Sequence, residues 1–346
     1  MNAIELLKQL IATPRVSRDE SAAADIMEQE MRRRGLDVQR EANNLWCTGR
    51  NYDSRRPTLL LNAHVDTVRP NAAWQHDPFV PTLEGGRLYG LGSNDCGGGL
   101  VVLLDVFCKL NQLPQKYNLV YAVSAEEEVS GKNGFSRMLP LLPHIDVAMV
   151  GEPTGMQPAT SERGLMVLDV TAYGRAGHAA RGEGINAIYK ALEDIEWFRT
   201  FHFPHVSPRL GEVMMNVTVI EAGTQHNCVP AECRFTVDVR VNECYTNQDI
   251  LDIICQQVTS EVKARSTRLS SSSIDERHPL IKAAVALGRT PFGSPTLSDQ
   301  ALMPFPSFKM GPGDSARSHT ADEYILLSEL AEAENLYMQL LNGREI

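Results

Sequence analysis

Several acids and imidazoles in this sequence sit where an apolar run ends. His64 and Asp66 follow Leu59-Leu60-Leu61-Asn62-Ala63; Glu126-Glu127-Glu128 follows the run from Leu119 to Ala125; Glu152 follows Asp146 to Val150. Asp95 lies in a glycine-rich turn, between Gly92 and Gly97-Gly98-Gly99. Nitrogen and oxygen donors of this kind, with no thiolate among them, suit Zn2+ or a related divalent pair. Two ions about 3.5–4 Å apart need a carboxylate that reaches both. Asp95 is the candidate, because the glycines around it leave room for two ions. An acidic triplet is ordinarily a solvated face, but one placed directly after an apolar strand turns at least one acid inward. Glu126 is expected to be the solvated member. Cys96 has no His or Asn partner in the sequence for a thiol nucleophile and reads as a small packing residue.

The elements that must position these groups follow from hydrophobic periodicity. Ile4, Leu7, Leu10 and Ile11 mark a first helix ended by Pro14, and a second runs from about Ser21 to Arg34 with Gly35 as its stop. The apolar runs before His64, Glu126 and Glu152 read as buried strands, and Leu100 to Leu110 as a helix. This alternation predicts an α/β domain with a mostly parallel sheet and helices on both faces. Ligands bind such sheets at the carboxyl ends of the strands, where these acids fall. After about Arg163 the pattern changes. Leu165–Tyr173, Val213–Glu221 and Glu232–Val241 alternate as strands, Ile185–Arg199 is an amphipathic helix, and Thr246 caps a helix expected to reach about Lys263. This predicts an inserted α+β, ferredoxin-like unit over residues 164–269, with Ser270 to Ser273 as a flexible hinge and residues 1–163 and 270–346 forming the α/β domain.

The chain has 346 residues, 43% of them hydrophobic, enough for more than one core, and a net charge of −10. That balance argues against nucleic acid or an anionic membrane as partner. No stretch approaches the roughly 18 apolar residues of a membrane span. The seven cysteines form no Cys-x-x-Cys pair, and the opening residues Met1–Lys8 lack a basic segment before an apolar run. A reduced, cytoplasmic protein is expected. Gly90-x-Gly92-x-x-Asp95 lacks the third glycine of a dinucleotide loop, and no Gly-x-Ser-x-Gly elbow occurs.

Taken in order, His64-Val65-Asp66, Gly90-x-Gly92-x-x-Asp95, Ala125-x-Glu127-Glu128, Gly151-Glu152-Pro153-Thr154 and Ser318-His319-Thr320 resemble the two-zinc aminoacylase and carboxypeptidase superfamily, peptidase family M20. The resemblance implies two Zn2+ ions, with Co2+ or Mn2+ as substitutes. His64, Asp95 and Glu152 would hold one and Asp95, Glu128 and His319 the other. It implies Glu127 as general base and Asp66 as the carboxylate that orients His64. Where the family commonly has Met-Lys after the shared Asp, this chain has Cys96-Gly97.

Gly174-Arg175-Ala176-Gly177-His178-Ala179 resembles the family's lid loop, whose histidine reaches a neighbouring subunit's site and helps stabilise the oxyanion. The resemblance therefore implies a catalytic His178 and a homodimer. Asn227 and Arg240 match lid positions that contact substrate. Gly311-Pro312-Gly313-Asp314-Ser315 looks most like the acetylornithine deacetylase branch. Its exposed N–H groups are expected to meet a substrate carboxylate, with Arg240 or Arg317 as the pairing guanidinium. The expected substrate is an N2-acyl-L-amino acid, first N-acetyl- or N-succinyl-L-ornithine, with acetylcitrulline, succinyl-diaminopimelate and small peptides as alternatives. A metabolite-binding relative without activity would be expected to lack one of these groups, and all are filled here.

Overall fold

The computed structural model describes residues 1–346. Two compact units share the chain: Met1–Thr160 with Ser273–Phe292 and Ser298–Ile346, and Ser161–Ser272 with Gly293–Leu297. The return of Gly293–Leu297 to the second unit carries no signal in the sequence.

In the first unit, strands Thr58–His64, Asn118–Ser124, Val147–Val150 and Ser307–Lys309 run parallel. Thr58–His64 lies between Asn118–Ser124 and Val147–Val150, with Ser307–Lys309 next to the latter. The strand Asn44–Thr48 adds antiparallel to Asn118–Ser124 at one side. Alternate residues serve opposite faces. Leu59, Leu61, Tyr121 and Val123 join the core formed with helices Ala3–Ile11, Gly98–Leu110 and Leu327–Leu341. Leu60, Val120 and Ala122 pack with Phe135 and Met138 on the other face. Burial on both faces explains why these strands read as unbroken apolar runs. Each such side chain contributes about 1.5–3 kcal/mol. Gly99 lets the helix Gly98–Leu110 close on the strand end that carries Glu152, since a Cβ there would lie 1.8 Å from the Gly151 carbonyl oxygen.

The second unit is a four-stranded antiparallel sheet in the order Met214–Ala222, Glu232–Val241, Gly164–Tyr173, Glu261–Ala264. Helices Ala187–Thr200 and Asn247–Gln257 pack on it through Ala187, Ala191, Ile250 and Ile254. Thr246 caps the second helix as the sequence indicates, and Asp249 completes a capping box with it. The helix stops at Gln257 and does not reach Lys263, because the Asp194 carboxylate accepts the Thr259 and Ser260 N–H groups at 3.0 and 2.9 Å and draws the chain out of the helix. The residues beyond become the fourth strand. The run Ser270–Ser273 is also ordered, with the Ser271 hydroxyl donating to the Glu162 carbonyl at 2.6 Å and Ser272–Ser273 extended as strand. No helix is long and apolar enough to cross a membrane.

Candidate active site

The carboxyl ends of Thr58–His64, Asn118–Ser124 and Val147–Val150 bring His64, the acidic triplet and Glu152 to one edge of the sheet. His64 Nε2 lies 3.3 Å from Asp95 Oδ1 and 3.5 Å from Glu152 Oε1. His319 Nε2 lies 2.8 Å from Glu128 Oε2 and 3.6 Å from Asp95 Oδ2. The two oxygens of Asp95 thus face two different imidazoles, one in each half of the cluster. Ligand atoms of His64, Asp95 and Glu128 all lie within 4.8 Å of one another. The Glu127 carboxylate points at the same space, 4.0 Å from His64 Nε2, and accepts no hydrogen bond from the protein.

The charge of this cluster is one-sided. Burial, then the charge of Asp95, pushes the Glu152 carboxyl up to about 8. Burial also raises Glu127 well above the ordinary carboxyl range, with Glu152, Asp299 and Glu128 adding to it. Glu128 rises for the same first reason. The hydrogen bond to Glu128 lifts His319 to about 9. A buried crowd of acids with two imidazoles is the donor set that divalent cations satisfy, by charge and by ligand type. The residues present fit a pair of such ions.

His319 and Glu126 have φ of 61° and 52° in the left-handed region, uncommon for residues with a Cβ. Such backbone recurs at sites where function fixes geometry. Glu126 corrects the sequence reading. It is buried, and its carboxylate accepts from the Asn133 side chain and backbone at 2.9 and 3.3 Å, folding the following loop back beneath it.

Asp66 meets both His64 and the acidic pair. His64 Nδ1 bonds to the backbone carbonyl of Asp66 at 2.9 Å, whereas the carboxylate stands 3.5 Å away. That carboxylate accepts from the Ser17 hydroxyl at 2.6 Å and from the N–H groups of Glu127 and Glu128 at 3.1 and 3.3 Å. It therefore orients the acidic pair more directly than the imidazole. Cys96 is a buried packing residue. Its Sγ accepts from His64 N at 3.3 Å, and burial holds its thiol at about 12, far from a nucleophilic thiolate.

The groups expected to meet substrate have these partners within the protein. The Gly311 N–H donates to Thr154 Oγ1 at 3.1 Å, and the Asp314 N–H to Asn94 Oδ1 at 2.9 Å. A Cβ on Gly313 would lie 2.2 Å from Asn94 Oδ1. This turn braces the Glu152 loop against the Asp95 loop, and the N–H groups of Gly311 and Asp314 are already used. Arg317 is committed too: its guanidinium makes a bidentate pair with Glu329 at 2.8 and 2.9 Å and lies 4.5 Å over the Tyr324 ring. On the second unit, His178 is exposed and pairs with Cys228 in a two-stranded ribbon, and the Asn227 carbonyl accepts the Ala179 N–H at 3.0 Å. Arg240 pairs with Asp238 two residues back on the same strand face, at 2.7 and 3.1 Å.

Arg15, Ser17 and Glu323 are among the residues around the site that escaped sequence reasoning. Glu323 is an acid placed directly before the strand Tyr324–Leu326, the same signal that marks Glu126–Glu128 and Glu152 in mirror image. Arg15 and Ser17 carry no signal of this kind.

The profile of peptidase family M20/M25/M40 matches residues 60–343. The chain belongs to this family. Among curated M20 relatives, the acetylornithine deacetylase of Proteus mirabilis is 28% identical over 377 residues, covering 98% of this chain and 96% of the relative. Among solved structures, aminopeptidase PepT of Bacillus cereus superposes with a TM-score of 0.78 at 17% identity, covering 99% of this chain and 97% of that one. A dinuclear metal-binding peptidase of the M20 family from Bacillus subtilis gives 0.72 at 16% identity, over 98% and 96%. These structural likenesses show that the M20 fold is shared.

Proposed function

We propose that this M20 hydrolase is a two-metal amidohydrolase that removes the acyl group from an N2-acyl-L-amino acid, with N-acetyl- or N-succinyl-L-ornithine as first substrate and a place in arginine biosynthesis. The observation that carries the reading is the Glu127 carboxylate, aimed at the His64–Asp95–His319 cluster with no hydrogen bond of its own. His64, Asp95 and Glu152 would hold one ion, and Asp95, Glu128 and His319 the other. Zn2+ is the assigned metal, with Co2+ or Mn2+ as substitutes. Bound there, such ions would supply Lewis-acid chemistry. Glu127 would act as the general base, taking a proton from the attacking water and returning it to the departing amine. Asp66 holds the backbone of Glu127 and Glu128 in place for this transfer.

His178, Asn227 and Arg240 of the second unit are assigned to the substrate, His178 to the oxyanion of a neighbouring subunit. Val219 and Ile220, half exposed on the edge strand Met214–Ala222, support a homodimer joined through this unit, since an uncovered apolar edge strand favours pairing. The protein acts in the cytoplasm.

Peptide hydrolysis is the second reading, favoured by the likeness to an aminopeptidase. Amine release by the zinc-loaded protein separates the two, measured across acetyl- and succinyl-ornithine, acetylcitrulline, succinyl-diaminopimelate and a series of di- and tripeptides. Selective turnover of one acyl-ornithine supports the proposal. Turnover of peptides alone replaces it with the second reading, and silence across the panel removes both.

A further inference from the structure

Beneath the Asp95 loop lie two buried ionic groups that no ligand role absorbs. Arg15 is 1% exposed; its Nη1 donates to the Val65 carbonyl at 2.6 Å and its Nη2 to the Gly92 carbonyl at 2.8 Å. Its Nε has no partner. Glu323 is 2% exposed, and its carboxylate accepts three backbone N–H groups of the loop: Asn94 and Asp95 at 2.8 Å each and Gly92 at 3.1 Å. Arg15 and Glu323 do not pair with each other. They meet through one residue, Gly92, whose carbonyl serves the cation and whose N–H serves the anion.

This arrangement is expensive as a stability device. Burying charge without a direct counter-ion costs more than an apolar filling of the same volume, and Arg15 Nε adds an unsatisfied donor. The loop is nonetheless shaped around it. Gly92 has φ +72°, and a Cβ there would lie 2.4 Å from Arg15 Nη2. A Cβ on Gly97 would lie 2.3 Å from the Gly92 carbonyl and 3.0 Å from Arg15 Nη2. No side chain from residue 97 can enter this space, which the Arg15 guanidinium and the Gly92 carbonyl occupy. The clamp also ties together three segments distant in sequence. Val65 sits between His64 and Asp66, Gly92–Asp95 carries the shared carboxylate, and Glu323 closes the segment that bears His319.

We propose that Arg15 and Glu323 are positioning residues that hold Asp95 in the orientation from which its two oxygens face His64 and His319. The proposal rests on the reading of Asp95 as the ligand shared by both ions. It makes a specific demand. Loosening the clamp weakens both ions together, whereas loss of an outer ligand such as Glu152 weakens chiefly one.

The test measures binding of Zn2+ and Co2+ to the metal-stripped full-length protein by chelator competition. It also follows the visible absorption of the Co2+ form and the thermal unfolding of the metal-free protein. The variants are Glu323→Gln, Glu323→Asp, Arg15→Met and Arg15→Lys, with Asp95→Asn and Glu152→Gln as references. Glu323→Asp and Arg15→Lys keep the buried charge and guard against loss of the fold. The clamp predicts that both affinities fall by about 10–100-fold, the scale of residues that orient ligands. It predicts a changed Co2+ spectrum and a smaller loss in the charge-keeping variants. Folded variants with wild-type affinity for both ions, differing only in thermal stability, overturn the proposal and leave Arg15 and Glu323 as purely structural residues. If Asp95→Asn itself binds both ions normally, the reading of Asp95 as shared ligand fails instead.

Discussion

His319 Nε2 lies 2.8 Å from Glu128 Oε2 across 191 residues of sequence. The carboxylate beside it raises the imidazole to about 9, so in the metal-free protein His319 is protonated at neutral pH. A metal ion needs the neutral ring and must displace that proton. Burial of Glu152, up to about 8, adds a second proton to be displaced over much of the same range. Metal uptake at pH 7 is therefore expected to release protons, and affinity to rise with pH until about 9, where the competition ends. Titration calorimetry in buffers of different ionisation enthalpy reads the release directly. Uptake without proton release, at an affinity flat from pH 6 to 9, contradicts this geometry.

The Glu127 carboxylate stands in the cluster without a hydrogen bond, 4.0 Å from His64 Nε2. Glu127→Gln keeps shape and volume while removing the ability to take a proton. Metal content is expected to stay at the wild-type level, while kcat falls by about 10²–10⁴, the usual contribution of a positioned acid–base group. Metal analysis beside steady-state kinetics checks both halves. Turnover within a few-fold of wild type would remove Glu127 as the base.

What the sequence made legible, and what it did not, divides along physical lines. His64, Glu128 and Glu152 could be found because each follows a strand buried on both faces, and such a strand announces itself as an apolar run. The helix after Asp95 was legible for a similar reason. Glu126 misled because a triplet of acids has the composition of a solvated face; its burial depends on Asn133 and the left-handed turn that brings the loop back. The Arg317–Glu329 pair left no trace because Glu329 lies on the helix after the next strand. The helix expected to reach Lys263 ends early because of Asp194, a residue on a different helix. Long-range polar pairings decide each of these cases, and periodicity carries no record of them.

Asp66 gathers Ser17 Oγ and the N–H groups of Glu127 and Glu128 on one buried carboxylate. Asp66→Asn keeps the shape and the backbone carbonyl that holds His64 Nδ1, but replaces one acceptor by a donor facing donors. Hydrogen bonds to a charged group are worth about 1.5–3 kcal/mol, so a stability loss of that order is expected. Because the displaced groups are the backbones of the general base and one ligand, kcat should fall as well. Denaturant unfolding together with kinetics tests this, and an unchanged midpoint with unchanged kcat would show that the carboxylate is dispensable.

Arg317 distinguishes a substrate group from a scaffold group. Its guanidinium is held bidentately by Glu329 and covers the Tyr324 ring, which joins the turn before His319 to the helix Leu327–Leu341. With Nη1 and Nη2 both held by Glu329, Arg317 offers a substrate carboxylate no vacant fork without first breaking that pair, whereas the Arg240–Asp238 pair uses Nε and Nη2 and leaves Nη1. Arg317→Ala is therefore expected to leave KM for the acyl amino acid within about two-fold, less than the contribution of a single weak hydrogen bond. Stability should drop by about 1 kcal/mol, since the pair is partly exposed and the ring contact modest. Arg240→Ala, measured beside it, should raise KM if the guanidinium of the second unit holds the carboxylate. The opposite result, KM raised by Arg317→Ala and untouched by Arg240→Ala, would mean that the Arg317–Glu329 pair opens when substrate binds.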